Sequence, residues 1–364
     1  RGIAGAAGDT GRVDWMVVGQ GLTTRGFNTI PPRIAGNTGE RDGLDAYAAT
    51  ARLGVRPDPD SRIEVLLRWR ENRAELDDAP SGRVDDPNFT GDDRRWFGQL
   101  RGETMLFDGL WTTGLRLAVN NDRRRYLNLP DTLSPNLQDD LNRGERQTVD
   151  WGNRVLLGDL GALADTALAF GVTHERETID SRSRFVSPSY EGTGAVREGA
   201  DATAFHGGLQ GRVLERLDLS AGLRHDRAED FDSFTSWRAG GVLAVPEWAS
   251  RLRLSAGTAF KAPSLDQRFG ATSGSFLGFP MQFRGNPDLR PERSFTWEVG
   301  SETDIALFDR ADFLTFGATW FQSRYTDLID YAPGGETLTN VERARMQGVE
   351  LSLTVRPAPW IEGV

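Results

Sequence analysis

The chain has 364 residues, of which 38% are hydrophobic, with a mean hydropathy of -0.47 and a formal net charge of -10. No run of roughly 18 apolar residues occurs, so a transmembrane helix is excluded, whereas a transmembrane barrel is compatible with low hydropathy because only alternate residues meet lipid. The absence of cysteine excludes disulfides and thiolate chemistry, and the acidic balance argues against nucleic acid, whose phosphates need concentrated positive charge.

The sequence opens at Arg1 without Met or an apolar leader and stops at Val364, just after the turn-like Arg356-Pro357-Ala358-Pro359-Trp360. It reads as a fragment of a longer protein, so a missing leader says nothing of compartment. Strict period-two alternation then recurs and predicts strands at 13–24, 45–57, 62–71, 94–107, 110–120, 146–158, 163–175, 201–213, 217–227, 233–245, 251–260, 293–305, 311–325 and 345–356. In the ninth of these, Leu217, Leu219, Ala221 and Leu223 interleave with Asp218, Ser220, Gly222 and Arg224. Segments of about ten residues match a tilted strand crossing a bilayer, and Gly, Ser, Thr, Asp, Glu and Arg on the second face suit a polar lumen. Trp69, Trp96, Trp111 and Phe260 fall at strand ends, where a membrane interface favours aromatic rings.

Connections between these strands alternate in length. Long ones at 25–44, 72–93, 121–145, 176–200, 261–292 and 326–344 are read as extracellular loops, and short ones such as Asp58-Pro59-Asp60-Ser61 and Asp108-Gly109 as periplasmic turns. Only 228–232 is short where a long loop is due. The expected fold is an all-β, antiparallel transmembrane β-barrel with about 14 strands present and edges at 13–24 and 345–356. Open edges in lipid strand unpaired backbone groups, so further strands are expected in the native protein.

Loop 261–292 carries the most specific motif. It reads Phe260-Lys261-Ala262-Pro263-Ser264-Leu265, then Gly285-Asn286-Pro287-Asp288-Leu289-Arg290-Pro291-Glu292-Arg293-Ser294, then Trp297-Glu298-Val299-Gly300. This stretch resembles the barrel of TonB-dependent outer-membrane receptors, in wording nearest to the cobalamin receptors. Weaker matches are Thr24-Arg25-Gly26-Phe27-Asn28 and Asn340-Val341-Glu342 with Gly348-Val349-Glu350-Leu351. The resemblance implies 22 strands, an N-terminal plug and last strands that lie outside this sequence, and uptake of a nutrient chelate powered through TonB. It implies cobalamin as ligand, with an iron siderophore as the alternative; a passive porin, a barrel without a plug, is a competing reading of the same strand pattern.

Physically, Phe260, Pro263, Asn286, Pro287, Leu289, Pro291 and Glu292 read as a scaffold: the prolines fix φ and withhold backbone donors, and Asn286-Pro287-Asp288 is turn chemistry. Arg124 and Tyr126 in the basic run Arg123-Arg124-Arg125-Tyr126, with Phe276, Phe279 and Phe283, are candidates for holding a large ligand. The basic trio is a candidate for lipopolysaccharide phosphates. Asp77, Asp78, Asp85 and Asp86, with Asp92-Asp93, concentrate carboxylates in one predicted loop. Calcium takes oxygen ligands of this kind, and the resemblance to cobalamin receptors implies calcium-ordered loops, although no spacing matches an EF-hand. The histidines, His174, His206 and His225, lack metal-site spacing. An outer-membrane hydrolase would have to pair His225 with Ser220 or Ser255. No enzyme and no other cofactor is expected.

Overall fold

The computed structural model describes the chain outside residues 78–84, 230–231, 309, 359–360 and 364. One antiparallel sheet holds 18 strands. In chain order these are β1 Gly2–Asp9, β2 Val13–Thr24, β3 Leu44–Val55, β4 Ser61–Glu75, β5 Thr90–Leu106, β6 Trp111–Asn128, β7 Leu137–Leu160, β8 Leu163–Val186 and β9 Tyr190–Val213. They continue as β10 Leu217–Ala228, β11 Phe234–Val245, β12 Ser250–Lys261, β13 Ala271–Phe276, β14 Phe279–Arg284, β15 Glu292–Leu307, β16 Arg310–Tyr331, β17 Leu338–Ala358 and β18 Ile361–Gly363. Consecutive strands pair, except that β12 pairs with β15 while the hairpin β13–β14 leaves the wall and joins β9 through β13. Among the described residues β1 pairs only with β2 and β18 only with β17, so the sheet is not closed and its edges are these strands rather than 13–24 and 345–356. The count of about 14 is corrected to 18 because β1, with Gly and Ala at most positions, and the short β13, β14 and β18 carry little apolar alternation.

Cross-strand partners share a face, so the registers assemble rows across the wall. Leu219, Gly241, Leu254, Val299, Trp320 and Val349 form one row on the apolar face, and the next row on the other face is Asp218, Val242, Arg253, Gly300, Thr319 and Glu350. Large apolar side chains are therefore exposed, Leu254 at 58% and Val349 at 59%. Only Ile30, Ala167, Val196, Ala204, Leu265, Leu289 and Leu338 are buried hydrophobics among the described residues, an arrangement stable only with an apolar solvent against the outer face. Aromatics bound that face. Trp69 and Trp96 pair with ring centroids 6.3 Å apart near one end, and Phe107, Trp248 and Phe308 sit at the short turns of the other. From Trp96 to Phe107 the rise of a tilted strand spans about 25 Å, the height of a hydrocarbon band.

The short turns need backbone that ordinary residues avoid: Asp108 and Gly109 take φ of 55° and 85°, the left-handed pair that a tight hairpin requires. At the other end the strands run well past their predicted limits. Loop 176–200 is a continuation of β8 and β9 around a turn at 187–189, and loop 121–145 shrinks to 129–136. Beyond the membrane both faces of a strand are polar, so hydropathy alternation vanishes while the hydrogen-bond ladder continues. The short 229–233 connection is also accounted for. Above it, β13 adds to β9 from Ala271 opposite Ala195 to Phe276 opposite Tyr190, so the hairpin of the next loop builds the wall there.

Candidate functional site

The extracellular rim is held by contacts between loops. Ser264 caps a short helix, α1 Leu265–Phe269, in a reciprocal capping box with Gln267. Leu265 and Leu289 are buried, and Asn286 donates from Nδ2 to the Leu338 carbonyl at 2.9 Å while accepting from the Asp288 amide at 2.9 Å. Asn340 receives the Arg290 amide and donates to the Arg290 carbonyl, both at 2.9 Å. Glu292 accepts from the Ile329 amide at 3.0 Å and lies 3.3 Å from the Lys261 ammonium. Phe260 packs on Phe234 with centroids 4.7 Å apart, and Pro263 and Pro291 are buried. Asn286, Leu289 and Glu292 thus sit in a joint between loop 262–291, the β15 entry and the β16–β17 connection, whereas Phe260 packs against β11 and Trp297-Glu298-Val299-Gly300 lie in the wall.

The interior face of the rim has two chemically distinct parts. On β13–β14, Phe276 is opposite Phe279, Gly274 opposite Met281, and Thr272 opposite Phe283, and Phe276 is in turn opposite Tyr190. Following β9 down its alternation, Tyr190 shares a face with Gln210 and Arg212, which lie opposite Ser220 and Asp218 on β10, so these rings look inward. Phe185 lies 6.0 Å from Tyr190 and Tyr331 lies 5.9 Å from Phe283, extending the cluster. Phe279 is 73% exposed and Phe276 46%, so the cluster is open to a ligand. The sequence candidates Phe276, Phe279 and Phe283 therefore come together; Met281 and Tyr331 join them, unforeseen because only the hairpin register brings them to that face.

On β4 to β6 the same face carries Arg68, Arg70, Arg95 and Arg124. Asp93 is shared by Arg95 at 3.1 Å and Arg124 at 3.3 Å, and Asp122 is the other carboxylate there. Arg68 stands 6.0 Å over Phe97. Four guanidiniums against two carboxylates leave this wall positive. Tyr126 lies two residues above Arg124 on the same face, opposite Asp140. The basic trio is split: Arg124 faces inward, while Arg123 and Arg125 face outward and Arg125 is bound by Asp139 at 3.0 and 3.1 Å.

The acidic loop cluster is rearranged relative to expectation. Asp92 and Asp93 lie in β5, on opposite faces, rather than in the loop, and Asp78 lies outside the described residues. Asp77, Asp85 and Asp86 meet the 25–43 loop. Asp85, fully buried, accepts from Asn28 at 2.9 Å and from the Thr38 amide and hydroxyl, and Asp86 accepts from Asn128 at 2.7 Å. Asp77 accepts from the Thr29 hydroxyl and from the Asp86 amide at 3.3 Å, and Asp42 accepts from the Thr29 amide at 2.9 Å. Gly26, at φ 59°, is required beside them, since a Cβ there would lie 1.8 Å from the Asp42 carbonyl oxygen.

Burial, reinforced by Asp77, Asp42, Asp85 and Glu75, pushes the Glu40 carboxyl up to about 7. Burial likewise raises Asp77, whereas in Asp85 the upward push of burial is outweighed by the hydrogen bonds from Thr38 and Asn28, and its carboxyl is lowered. One oxygen each of Glu40, Asp42 and Asp85 is buried without a hydrogen-bond partner. Such orphaned oxygens fit a hard cation's donor preference. Among the described residues, however, no three acidic or histidine side chains converge on one metal position. The histidines are dispersed: His174 and His225 bond Thr203 and Thr235 on the outer face, and His206 lies on the inner one. Ser220 and Ser255 face inward, opposite to His225, so no hydrolase pair forms.

A family model described as TonB dependent receptor-like, beta-barrel matches residues 26–361. Among similar solved structures, the siderophore receptor PirA from Acinetobacter baumannii has 15% identity and a TM-score of 0.71, covering 97% of this chain and 56% of that one. A ferric enterobactin receptor variant from Pseudomonas aeruginosa (PfeA), in complex with enterobactin, has 17% identity and a TM-score of 0.74, covering 98% and 58%. The siderophore receptor PiuA from Acinetobacter baumannii has 12% identity and a TM-score of 0.72, covering 98% and 59%. This chain spans less than two thirds of the length of each, and identities this low carry the fold alone. The chain belongs to the TonB-dependent receptor β-barrel family.

Proposed function

We propose, from the premise that this chain is a TonB-dependent receptor barrel, that the protein is an outer-membrane receptor that captures an anionic metal chelate of the siderophore class on the inner face of its rim. The observation that carries this reading is the pairing of a positive wall, Arg68, Arg70, Arg95 and Arg124, with the inward aromatic cluster of β13–β14. Arginines attract and orient an anion, and aromatic faces cover its apolar or aromatic parts. The neighbours' description as siderophore receptors favours the siderophore alternative over cobalamin, which the motif's wording suggested. A rim already packed around Leu265, Leu289 and Leu338 suits capture better than passive diffusion. Energised uptake through TonB is part of the proposal, and no residue of this chain is assigned to that contact.

Fluorescence titration of the protein expressed in full from its gene, with ferric enterobactin, a ferric hydroxamate and cyanocobalamin, tests the reading. Saturable binding of a ferric chelate without binding of cyanocobalamin is expected. Binding of cyanocobalamin alone reverses the ligand assignment.

A divalent cation, calcium foremost, is a second element of the proposal. Because among the described residues no three carboxylates converge on one position, it would be held by Glu40 with one of Asp42 and Asp85, whose buried oxygens lack a hydrogen-bond partner, and backbone carbonyls and water would complete its shell. Isothermal titration with calcium is the direct measurement, and no heat at millimolar calcium would remove it.

A further inference from the structure

Below the rim, the inner face of β5 to β7 carries a second concentration of guanidiniums. On β6, Arg116 shares the inward face with Arg124, eight residues above it, and lies opposite Arg101 on β5. Arg154 on β7 lies opposite Thr112, four residues further down β6. At the rise of a tilted strand, Arg116 and Arg154 are about 19 and 28 Å below Arg124, toward the short turns. Like charges directly opposite destabilise a sheet, so Arg101 against Arg116 is unfavourable as scaffold alone.

Between Arg116 and Arg154 the inward row is bare: Gly114 lies opposite Gly152, and Gly152 opposite Gly171. A Cβ at Gly152 would meet no atom within 4 Å, so no neighbour demands a glycine there. What the missing side chains leave is a recess of about 780 Å³, in the size range of small-molecule sites, lined by Arg56, Arg62, Arg101, Arg116 and Arg154. These cations outnumber the lining carboxylates, Asp60, Glu103 and Asp150. Glu103 is taken by Arg101, and Asp150 accepts from the Thr173 hydroxyl at 2.6 Å while Arg116 stands 3.9 Å away. Arg62 is committed to Asp14 at 2.7 Å and Glu64 at 3.0 Å, and Arg56 to Asp14 at 3.4 Å. Arg154 is exposed and has no ion pair or side-chain hydrogen bond with a described residue. Arg154 and the loosely held Arg116 are therefore the free donors, one on each side of the glycine row.

We infer that this recess is a second anion site, which receives the chelate after it leaves the rim, with Arg116 and Arg154 taking its negative oxygens. Between Arg124 and Arg116, β6 presents Asp122, Asn120 and Ala118 inward and no cation, so the two basic sites are separate steps. Passage through a pore needs sites that bind well enough to admit a ligand and are divided enough to release it. The guanidinium fork suits oxygen anions, and two such forks about 13 Å apart along the strands grip a ligand with charge on both sides.

The inference rests on the proposed capture of a ferric chelate, and capture and passage are measured separately. The protein expressed in full is titrated with ferric enterobactin by fluorescence, and uptake of the same chelate carrying radioactive iron is followed in cells. The variants are Arg116→Gln/Arg154→Gln, the charge-keeping Arg116→Lys/Arg154→Lys, and Gly152→Leu, which fills the recess without altering a charge. All three should bind the chelate as wild type does. At saturating chelate the Gln pair should import at least about tenfold more slowly, Gly152→Leu should be slowed to an intermediate extent, and the Lys pair should keep most of the rate.

Wild-type uptake by the Gln pair overturns the inference; if that pair does not reach the outer membrane, wild-type uptake by Gly152→Leu does so. A rise in ion conductance of the Gln pair in planar bilayers without chelate assigns the recess to an acidic segment of the protein itself and also overturns it. Failure of the wild type to bind any ferric chelate overturns the proposed function together with this inference, whereas binding and import that are the same in wild type and variants overturn the inference alone.

Discussion

The Arg268 guanidinium, almost wholly buried, donates to the Pro287 carbonyl oxygen through Nε and Nη2 at 3.4 and 3.3 Å and stacks 4.7 Å over the Phe269 ring. It ties the end of α1 to the Asn286-Pro287-Asp288 turn. Removing it in Arg268→Ala is expected to cost about 1.5–3 kcal/mol locally, because a charge-assisted donor and its packing are lost together. Hydrogen exchange should accelerate across 262–291 while exchange in β10 to β12 stays unchanged. Uniform acceleration along the wall would contradict a local joint.

The two faces of a single strand give opposite expectations for the same new charge. Leu254→Arg puts a guanidinium against lipid and should destabilise the barrel by roughly 2–4 kcal/mol, whereas Ser255→Arg, which faces inward beside Glu298, should cost far less. Urea midpoints of protein folded into lipid vesicles provide the comparison, and equal losses would mean that the faces are misassigned.

For ligand capture, Arg124→Ala should weaken an anionic ferric chelate about tenfold or more, and Asp93→Asn, which frees Arg95 and Arg124 from their shared carboxylate, should strengthen it or leave it unchanged. Phe279→Ala should weaken binding with little dependence on salt, while the effect of Arg124→Ala should shrink as ionic strength rises. Identical salt profiles for the two variants would separate neither contribution and would count against the two-part site.

The loop carboxylates make a pH prediction. Because the folded rim raises Glu40 from 4.5 to about 7, it holds a proton that an opened rim releases. This contribution to rim stability is complete below about pH 4.5 and is lost as pH rises through about 7. A bound cation must displace that proton, so calcium affinity should tighten with pH, by up to about tenfold per unit between 5 and 7 and little above. Glu40→Gln should flatten the profile. A profile already flat in the wild type would show that Glu40 is not a ligand.

The membrane-crossing part of the wall was legible because burial against lipid writes a period of two into strands such as 217–227 and 251–260. The upper halves of β7, β8 and β9 were not: Arg176, Thr178, Asp180 and Arg182 face one way and Glu175, Glu177, Ile179 and Ser181 the other, and neither set is distinguished by polarity. In the rim, Phe276, Phe279 and Phe283 could be named as aromatic residues of one loop, but their common direction depends on pairing with β9, more than 70 residues earlier in the chain. Glu40 and Asp42 were missed as partners of Asp77 and Asp85 for a similar reason, since only the folded 25–43 loop brings them near.

The β13–β14 hairpin separates the height of the wall from the length of the strands beneath it. β10 and β11 stop short, and material belonging to a later connection fills the space above them. Excising residues 271–284 would leave the membrane-spanning sheet continuous yet cut a side window in the vestibule beside β9. Under the proposed function, a captured ligand could then escape laterally through that window, and such a variant would fail by leakage rather than by misassembly.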